Sequence, residues 1–395
     1  MTVPVIVVIG GGFSGTVVAA RLLRQSTKPL RVVLLNRSGP SARGVAYGTR
    51  SSSHVLNVPA GRMSAYPEDE DSFLRFARAT APGTGSGSFV PRSVYGQYLG
   101  HALDEAERRA TQGVVLERVV GEALDIELTR DGAQVRLGDG RSIDADRVVL
   151  ALGNYPPADP RLEDDAAYES PRYVRDPWAP GALEGIGRSE PVLMIGSGLT
   201  MLDVAVDLHA ANPDRPLHAV SRRGLVPFSH REHSAPPPLD RCPPGMLEGP
   251  ATAHAYLRTV RRHVRRLQRE GVDWRDVVAS LRSVTPALWQ RLDNRERARF
   301  LRHVRPYWEV HRHRCAPELG AALRTLLSGG TLTVLAGRLK RLQAREAGLI
   351  ATLQPRGGGR LREMAVGCVV NCTGPAATRL RCRIGSSAPW CDAAR

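Results

Sequence analysis

The chain has 395 residues, enough for two or three domains, and its 42% hydrophobic content can build cores of ordinary size. No stretch reaches the roughly 18 consecutive apolar residues of a membrane span. Val5–Ile9 run directly into Gly10 without the basic leader of a signal peptide, which predicts a cytoplasmic protein. The formal net charge is +16, but only Lys28 and Lys340 among the 55 basic residues are lysine. Because the arginines are spread along the chain without interleaved aromatic residues, we favour small anionic ligands over nucleic acid as the reason for this charge.

The cysteines exclude one class of redox chemistry. They are Cys242, Cys315, Cys368, Cys372, Cys382 and Cys391. No CxxC pair occurs, so the sequence predicts neither a dithiol redox centre nor a zinc site. Cys368 and Cys372 enclose an apolar, strand-like run and are predicted to be buried thiols.

The chain opens with a strand–turn–helix–strand pattern. Val5–Ile9 read as a buried strand, residues 14–25 as a helix and residues 31–35 as a second strand. Three glycines between the first strand and the helix match GxGxxG: Gly10, Gly12 and Gly15. The first permits a tight turn, the second lets backbone approach a pyrophosphate, and the third lets the helix pack closely on the strand. This context predicts a dinucleotide site.

One position departs from the dinucleotide pattern. An acidic residue that binds a ribose hydroxyl is expected at the end of the second strand, and Asn36 stands there instead. Its amide oxygen can still accept a ribose hydroxyl, without the strength of a charge. Arg37 follows, so the sequence leaves open a 2′-phosphate at this first site.

A second cradle lies in the middle of the chain. Val192–Ile195 form a strand, Gly196 and Gly198 the turn, and residues 199–209 a helix that begins with Leu199 and Thr200. Met201 replaces the third glycine, so the match is GxGxxM, which a slightly wider helix crossing accommodates.

The strand that follows this second cradle ends at Ser221 and continues with Arg222 and Arg223. Two permanently charged guanidiniums favour the 2′-phosphate of NADPH over NADH. The alternative is a pair of solvent-facing arginines in an arginine-rich chain.

Each cradle is followed by strands with hairpin turns. Residues 114–153 contain four short strands and end at Gly153, a small residue that would let the chain leave the first domain close to a cofactor and is predicted to contribute to cofactor binding. Residues 155–161 then read as a linker. A similar series recurs near residues 331–375. Between the second cradle and that series, residues 250–327 are predicted to be a helical insert. In it His311 and His313 diverge at i, i+2, which favours a structural or substrate-lining role over metal binding.

Several further motifs occur in one order along the chain. They are GVAY (44–47), HVLNVPA (54–60), MSA (63–65), FVPR (89–92), Tyr95-Gly96, and NCTGP (371–375). With both cradles, they resemble a bacterial family of FAD/NAD(P)-binding proteins related to flavin-dependent N-hydroxylating and Baeyer–Villiger monooxygenases.

The resemblance implies that Gly10, Gly12, Ser14 and Gly15 hold the FAD pyrophosphate. It also implies that Asn57, Met63 and Ser64 lie along the flavin, although a rigid surface loop is the alternative interpretation of the segment that contains these three residues.

The predicted architecture is an α/β fold with two Rossmann-like dinucleotide-binding domains, β-meanders and the helical insert. Residues 1–160 form the predicted FAD domain, 161–375 the NADPH domain, and 376–395 an irregular tail. The resemblance implies that the chain returns to the FAD domain after residue 375, and the tail shows no strand–turn–helix pattern for that return. We therefore expect the return segment to be missing, with weak or absent FAD binding, low solubility and little or no turnover.

The predicted function is an NADPH-dependent FAD oxidoreductase, a monooxygenase in which a peroxyflavin oxygenates a small nucleophilic substrate, an amine or a ketone. No side chain is assigned as catalytic, because the flavin carries the reactive atom. The alternatives are an NADPH:acceptor flavin dehydrogenase that does not oxygenate and a non-catalytic dinucleotide-binding protein. No metal is expected, and the sequence does not decide the oligomeric state.

Overall fold

The computed structural model of the chain describes residues 3–37, 39, 41–232 and 241–375. The predicted irregular tail, 376–395, lies outside the described residues. Contacts divide the chain into two compact units, one from the amino terminus to Pro156 and the other spanning Pro157–Gly374. Within the described ranges, no helix combines the length and apolar composition needed to cross a bilayer.

The first unit is built on a parallel sheet. Its strands are β1 (Val5–Ile9), β2 (Leu30–Asn36), β3 (Val114–Val120) and β7 (Arg147–Leu150). They pair in the order β3-β2-β1-β7, and each neighbouring pair is parallel. Strands of this kind are apolar throughout because helices and loops cover both faces. Val7, Val8 and Val33 are completely buried here.

Helices and a small antiparallel sheet cover this parallel sheet. The helices are α1 (Phe13–Gln25), α2 (Gly44–Tyr47), α3 (Ser72–Thr80) and α4 (Arg92–Arg108). The small sheet has the order β4-β5-β6, with strands β4 (Ala123–Leu128), β5 (Ala133–Leu137) and β6 (Ser142–Ala145). An apolar cluster joins α3 and α4 to the segment around Leu56 and Ala60. The motif segments 54–60 and 63–65 are therefore packed onto these two helices.

The second unit contains one sheet of seven strands. They are β8 (Tyr173–Val174), β9 (Val192–Ile195), β10 (Leu217–Ser221), β11 (Leu332–Arg345), β12 (Gly348–Pro355), β13 (Arg362–Val366) and β14 (Cys368–Asn371). The order is β13-β12-β11-β10-β9-β14-β8. Strand β11 pairs in parallel with β10 up to Ala336 and then antiparallel with β12 from Gly337 onward. Strand β11 therefore continues to Arg345, because its second half pairs with β12.

The helices of the second unit are α5 (Leu199–Ala211), α6 (Ala253–Gln268), α7 (Trp274–Ser280), α8 (Thr285–Arg291), α9 (Asn294–Arg299), α10 (Arg305–Arg312) and α11 (Pro317–Ser328). A π-helical turn, Phe300–Val304, separates α9 from α10. In α6, Leu267 is buried while Arg258 and Arg262 are exposed, as in an amphipathic helix packed on its apolar side. The helical content between residues 253 and 328 agrees with the predicted insert.

Candidate functional site: two glycine cradles and an arginine cluster

The first cradle begins where β1 ends, at a backbone geometry that only glycine accepts easily. Gly10 has φ +110°, and a Cβ at this position would lie 2.2 Å from the carbonyl oxygen of Ala151. The N–H of Gly10 donates to the carbonyl of Leu35 at 2.8 Å, which fixes the turn against β2. A side chain at residue 10 is therefore excluded by sterics and by φ together.

The amino terminus of α1 faces outward from this turn. Gly12 is its N-cap residue and provides no side-chain cap. A Cβ on Gly12 would lie 3.8 Å from the Cα of Gly44, an ordinary contact, whereas one on Gly15 would lie 1.8 Å from the Gly10 carbonyl oxygen. Ser14 is exposed in the first helical turn. Unsatisfied N–H groups and the positive end of the helix dipole make such a terminus a site for phosphate.

Asn36 lies beside this cradle, as its position at the end of β2 predicts. Its Oδ1 accepts the N–H of Gly11 at 3.3 Å, and its Nδ2 donates to the carbonyl of Gly39 at 3.2 Å. The amide thus also closes the glycine loop, and its contact with a ribose stays a prediction. Arg37 lies 3.8 Å from Glu122 in an exposed ion pair, so its guanidinium is partly compensated.

The segment with Asn57, Met63 and Ser64 is held by its own hydrogen bonds. The Ser64 hydroxyl lies 2.6 Å from the Asp69 carbonyl and accepts the N–H of Tyr66 at 3.0 Å. Met63 is partly buried against the cluster of α3 and α4. Asn57 is half-buried. The described bonds of Ser64 stabilise a loop, and the roles of the three residues beside a flavin remain predictions.

Gly153 lies shortly after β7 and is exposed. It has φ +70°, and a Cβ there would meet no described atom within 4 Å. Its backbone conformation therefore favours glycine, while the space around it is open.

The second cradle repeats the framework of the first. Gly196 has φ +114°, and a Cβ would lie 2.5 Å from the carbonyl oxygen of Cys372. Its N–H donates to the Val220 carbonyl at 2.8 Å. Gly198 is the N-cap of α5, again without a side-chain cap. Leu199 and Thr200 form the first turn of this helix, at positions that correspond to residues 13 and 14.

Met201 occupies the position of the third glycine in this cradle. It is completely buried, in contrast to Gly15, where a Cβ would overlap the turn. The helix therefore packs on its strand through the methionine side chain. Cys368 and Cys372, on and after β14, are each 4% exposed, which confirms the prediction of buried thiols.

The end of β10 presents the two predicted arginines in different environments. Arg222 is exposed, and its guanidinium makes no hydrogen bond or ion pair with the described part of the chain. Arg223 donates to the Arg302 carbonyl at 3.1 Å and lies 5.1 Å from the centre of the Tyr307 ring. Ser221 accepts a 2.7 Å hydrogen bond from Ser197, so the end of β10 is tied to the glycine turn. Arg222 thus has an unpaired charge, whereas Arg223 anchors the loop to the helical insert.

Two residues that the sequence analysis does not single out, Tyr307 and Arg356, extend the group around Arg223. Arg356, just after β12, is exposed, and its guanidinium acts electrostatically on the Tyr307 hydroxyl. Burial disfavours the ionised form of Tyr307, but Arg356 and Arg223 outweigh burial and lower its pKa. Tyr307 lies in the predicted helical insert, on the same helix as His311. Arg222, Arg223, Arg356 and Tyr307 are hereafter called the arginine cluster.

Comparison with known proteins identifies the first unit. The family model described as FAD-NAD(P)-binding matches residues 7–155, the range that contains the first cradle. This part of the chain is similar to FAD-NAD(P)-binding domains. The match, with the similarities that follow, confirms the resemblance to FAD/NAD(P)-binding proteins. Gly12 has no side chain to block a ligand, and the N-terminus of α1 has no side-chain cap. The backbone N–H groups at this helix terminus therefore fit a dinucleotide pyrophosphate.

A curated relative shares a longer region with the chain. Nitrosuccinic acid synthase of Aspergillus oryzae (strain ATCC 42149 / RIB 40) is 26% identical over 270 residues, which are 58% of this chain and 41% of that protein. The chain therefore spans less than half the length of this relative.

Solved structures extend the similarity beyond the FAD-NAD(P)-binding domain. Ornithine N-hydroxylase of Kutzneria sp. 744, solved with reduced FAD, NADP⁺ and L-ornithine, has a TM-score of 0.58 at 14% identity, covering 95% of this chain and 81% of that chain. The FAD-bound cadaverine monooxygenase of Erwinia amylovora has a TM-score of 0.59 at 15% identity, covering 96% and 79%. At these identities the similarity establishes the fold. The predicted α/β fold with two Rossmann-like dinucleotide-binding domains is confirmed.

Proposed function

We propose that the chain is an NADPH-dependent FAD oxidoreductase, and specifically a monooxygenase that acts on a small amine. The observation that carries the proposal is the presence of two matching glycine cradles, each at the end of a strand that pairs in parallel within its own sheet. One lies in the region that matches the FAD-NAD(P)-binding model, and the other is followed by Arg222, which has no partner among the described residues. A chain with two such cradles can hold a flavin in one and a nicotinamide coenzyme in the other.

In this proposal the first cradle binds the FAD pyrophosphate. The amide groups at the start of α1 donate to it, and Gly12 keeps the approach clear of side chains. Ser14 offers a hydroxyl in the same turn. Bound FAD would accept a hydride from NADPH and pass the electrons to dioxygen, so that one oxygen atom enters the substrate and the other leaves as water.

The second cradle binds NADPH in the same way, through Gly198, Leu199 and Thr200 at the start of α5. Beyond β10, Arg222 supplies an uncompensated charge for the 2′-phosphate, and Arg223 holds the loop in place through Tyr307. Arg356, on the other side of Tyr307, adds a second exposed cation. A dianionic phosphate gains from several guanidiniums at once because each contact is charge-assisted.

The names of the similar proteins favour an amine over a ketone as substrate. One is an ornithine N-hydroxylase and another a cadaverine monooxygenase, and the curated relative is named for a product with an oxidised nitrogen. We therefore propose hydroxylation of a primary amine as the reaction class.

Three measurements on the purified full chain test this proposal. An absorption spectrum detects bound flavin, and anaerobic addition of NADPH should bleach it faster than NADH does. Readmission of oxygen with an amine should then give a product that has gained one oxygen atom. Hydrogen peroxide without any oxygenated product across an amine panel would support the acceptor dehydrogenase instead. Flavin that NADPH does not reduce would support a non-catalytic binding protein.

A further inference from the structure

The helical insert carries most of the net charge of the chain. Residues 250–327 contain 17 arginines but only 7 acidic residues, so they carry +10 of the formal net charge of +16. Arginines occur along the whole chain, but in this region few carboxylates accompany them. Both glycine cradles lie outside the insert, so the binding of a pyrophosphate does not account for this charge.

The cations are most regular on α6. Its six exposed arginines are Arg258, Arg261, Arg262, Arg265, Arg266 and Arg269. With about 3.6 residues per turn, they occupy an arc of about 140° and about 16 Å of the helix axis. Leu257 and Val264 on the opposite side are half-buried, and Leu267 is buried. The six arginines therefore form one continuous surface, hereafter called the basic face of α6.

Carboxylates do not neutralise this face. Five of its guanidiniums make no hydrogen bond or ion pair with the described residues, and Arg266 only approaches the ring of His263 at 3.4 Å. Glu270, which follows the helix, forms no ion pair with the described part of the chain. Like charges four residues apart on a helix repel each other. An anionic partner on this face would remove that repulsion.

A second group of cations is fixed beside α6, which contacts α9 and the π-helical turn. The buried carboxylate of Glu296 accepts the N–H of Ala253 at 2.9 Å and pairs with Arg299 at 2.6 Å. It thereby ties the start of α6 to α9 and leaves little negative charge for the surface. The exposed arginines from α8 to the π-helical turn are Arg291, Arg295, Arg299 and Arg302.

Two large apolar side chains are exposed among these cations. Trp289 is 36% exposed and Leu301 is 47% exposed. The Trp289 ring meets Phe300 edge-on at 5.7 Å, and the guanidinium of Arg297 lies over it at 5.7 Å. Single-stranded nucleic acid needs open aromatic faces on which bases stack, and Arg297 already lies over this one. Tryptophan and leucine beside arginine are instead typical of surfaces that lie in the interface of a lipid bilayer.

We propose that the basic face of α6 and the adjoining surface around Trp289 and Leu301 bind the protein to an anionic lipid bilayer. Guanidiniums form charge-assisted hydrogen bonds with headgroup phosphates. Each basic residue near an anionic membrane surface strengthens binding by about fivefold, so the contributions of several arginines multiply. The inference goes beyond the proposed function and requires neither a flavin nor a nicotinamide coenzyme.

Flotation of the full chain with lipid vesicles tests the proposal. One set of vesicles is phosphatidylcholine alone, and the other contains phosphatidylglycerol as well. The chain should float only with the anionic vesicles, and it should be released at about 1 M salt, where charges are screened beyond about 3 Å. Absence of binding to the anionic vesicles at low salt would overturn the proposal.

Grouped substitutions locate the binding surface. Glutamine at Arg258, Arg262, Arg265 and Arg269 together should weaken binding to anionic vesicles by about a hundredfold or more. Lysine at the same four positions should retain binding, because the charge is kept. The matched control replaces four exposed arginines outside the insert that have no described partner: Arg130, Arg161, Arg338 and Arg360. It removes the same net charge and should bind like the wild type.

A separate variant tests the apolar contribution. Leu301→Ser leaves the charge unchanged and should weaken binding to anionic vesicles, because it removes an exposed apolar group from the interface. Circular dichroism confirms that each variant is folded. An equal loss of binding in the matched control would overturn the proposal, because net charge alone would then be responsible.

Competition experiments distinguish the other anionic partners. Tighter binding to polyglutamate than to vesicles would overturn the proposal in favour of an acidic protein, and tighter binding to single-stranded RNA would overturn it in favour of nucleic acid. The proposal and the proposed function can fail separately. A chain whose flavin is reduced by NADPH but that does not bind vesicles would retain only the proposed function, and a chain that binds vesicles without flavin reduction would retain only the lipid surface.

Discussion

Replacement of Arg222 by alanine should remove the preference of the second cradle for a 2′-phosphate while leaving the fold intact. Arg222 is exposed and makes no hydrogen bond or ion pair with the described residues, so its loss breaks no such contact within the protein. We therefore expect the free energy of unfolding to change by less than about 0.5 kcal/mol, as for an ordinary surface substitution.

The effect on binding follows from the charge that is lost. A hydrogen bond to a charged group contributes about 1.5–3 kcal/mol, and the exposure of Arg222 places it near the lower limit because solvent and salt screen the interaction. A loss of about 1.5 kcal/mol corresponds to roughly tenfold in affinity. Calorimetric binding of 2′,5′-ADP and of 5′-AMP isolates this term, because the two ligands differ only in the 2′-phosphate.

Arg222→Ala should weaken 2′,5′-ADP about tenfold and leave 5′-AMP unchanged, with Arg262→Ala as the control. Arg223→Ala should differ, because Arg223 bonds the Arg302 carbonyl and packs on Tyr307. Its loss should lower the melting temperature and weaken both ligands. An unchanged ratio of 2′,5′-ADP to 5′-AMP affinity in a protein that carries both Arg222→Ala and Arg223→Ala would refute the assignment of the 2′-phosphate to this loop.

Three further predictions concern the cradles and the arginine cluster. Gly12→Val should abolish flavin retention, and Gly198→Val should abolish NADPH binding. Both variants should fold, because a Cβ meets nothing closer than 3.8 Å at the first position and nothing described within 4 Å at the second. Flavin absorbance and NADP⁺ titration measure the losses, and a Gly12→Val protein with its full complement of flavin would contradict the prediction. Met201→Gly should destabilise the chain by about 2–5 kcal/mol in chemical denaturation despite restoring GxGxxG, because it empties a fully buried site, and an equally stable variant would show that α5 collapses onto its strand. Arg356→Gln should raise the pKa of Tyr307 in an ultraviolet pH titration, since the Arg356 contact lowers it now; Tyr307→Phe identifies the signal, and an unshifted titration would show that the contact does not form in solution.

The glycine turns and the strands beside them could be predicted from the sequence because their causes are local. A residue at φ +110° or +114° must be glycine, and Gly10 and Gly196 each follow an uninterrupted apolar strand. Burial on both faces then explains the continuous Val, Leu and Ile runs. The same reasoning identified Arg222 and Arg223 from their place directly after β10.

The arginine cluster could not be predicted as a whole because its members come from distant parts of the chain. The hydroxyl of Tyr307 lies 3.4 Å from Arg223, which is 84 residues away in sequence. Arg356 is near Tyr307 because β11 stops pairing with β10 at Ala336 and β12 then returns antiparallel to the second half of β11. No periodicity or spacing in the sequence encodes that return.

Asn36 shows the same limit on a smaller scale. Its position beside the first cradle follows from the length of β2, but the hydrogen bond from Gly11 to its side chain depends on the exact path of the glycine loop. At the matching place in the second cradle, Ser221 bonds Ser197. In both units the residue that ends the second strand stabilises the glycine turn. The consensus pattern, which expects a ribose-binding acid at this position, does not predict that role.

The comparison of the two cradles separates what the fold requires from what a consensus pattern records. Both turns donate an N–H from the first glycine to the neighbouring strand at 2.8 Å, and both begin a helix on a glycine without a side-chain cap. They differ at the third position, where a Cβ on Gly15 would lie 1.8 Å from a carbonyl oxygen while Met201 is accommodated with no exposed surface. The turn itself is the same in both units, so the residue at the third position does not determine it. The ability to present open amide groups to a pyrophosphate therefore depends on the first two glycines, and the third sets only how closely the helix packs.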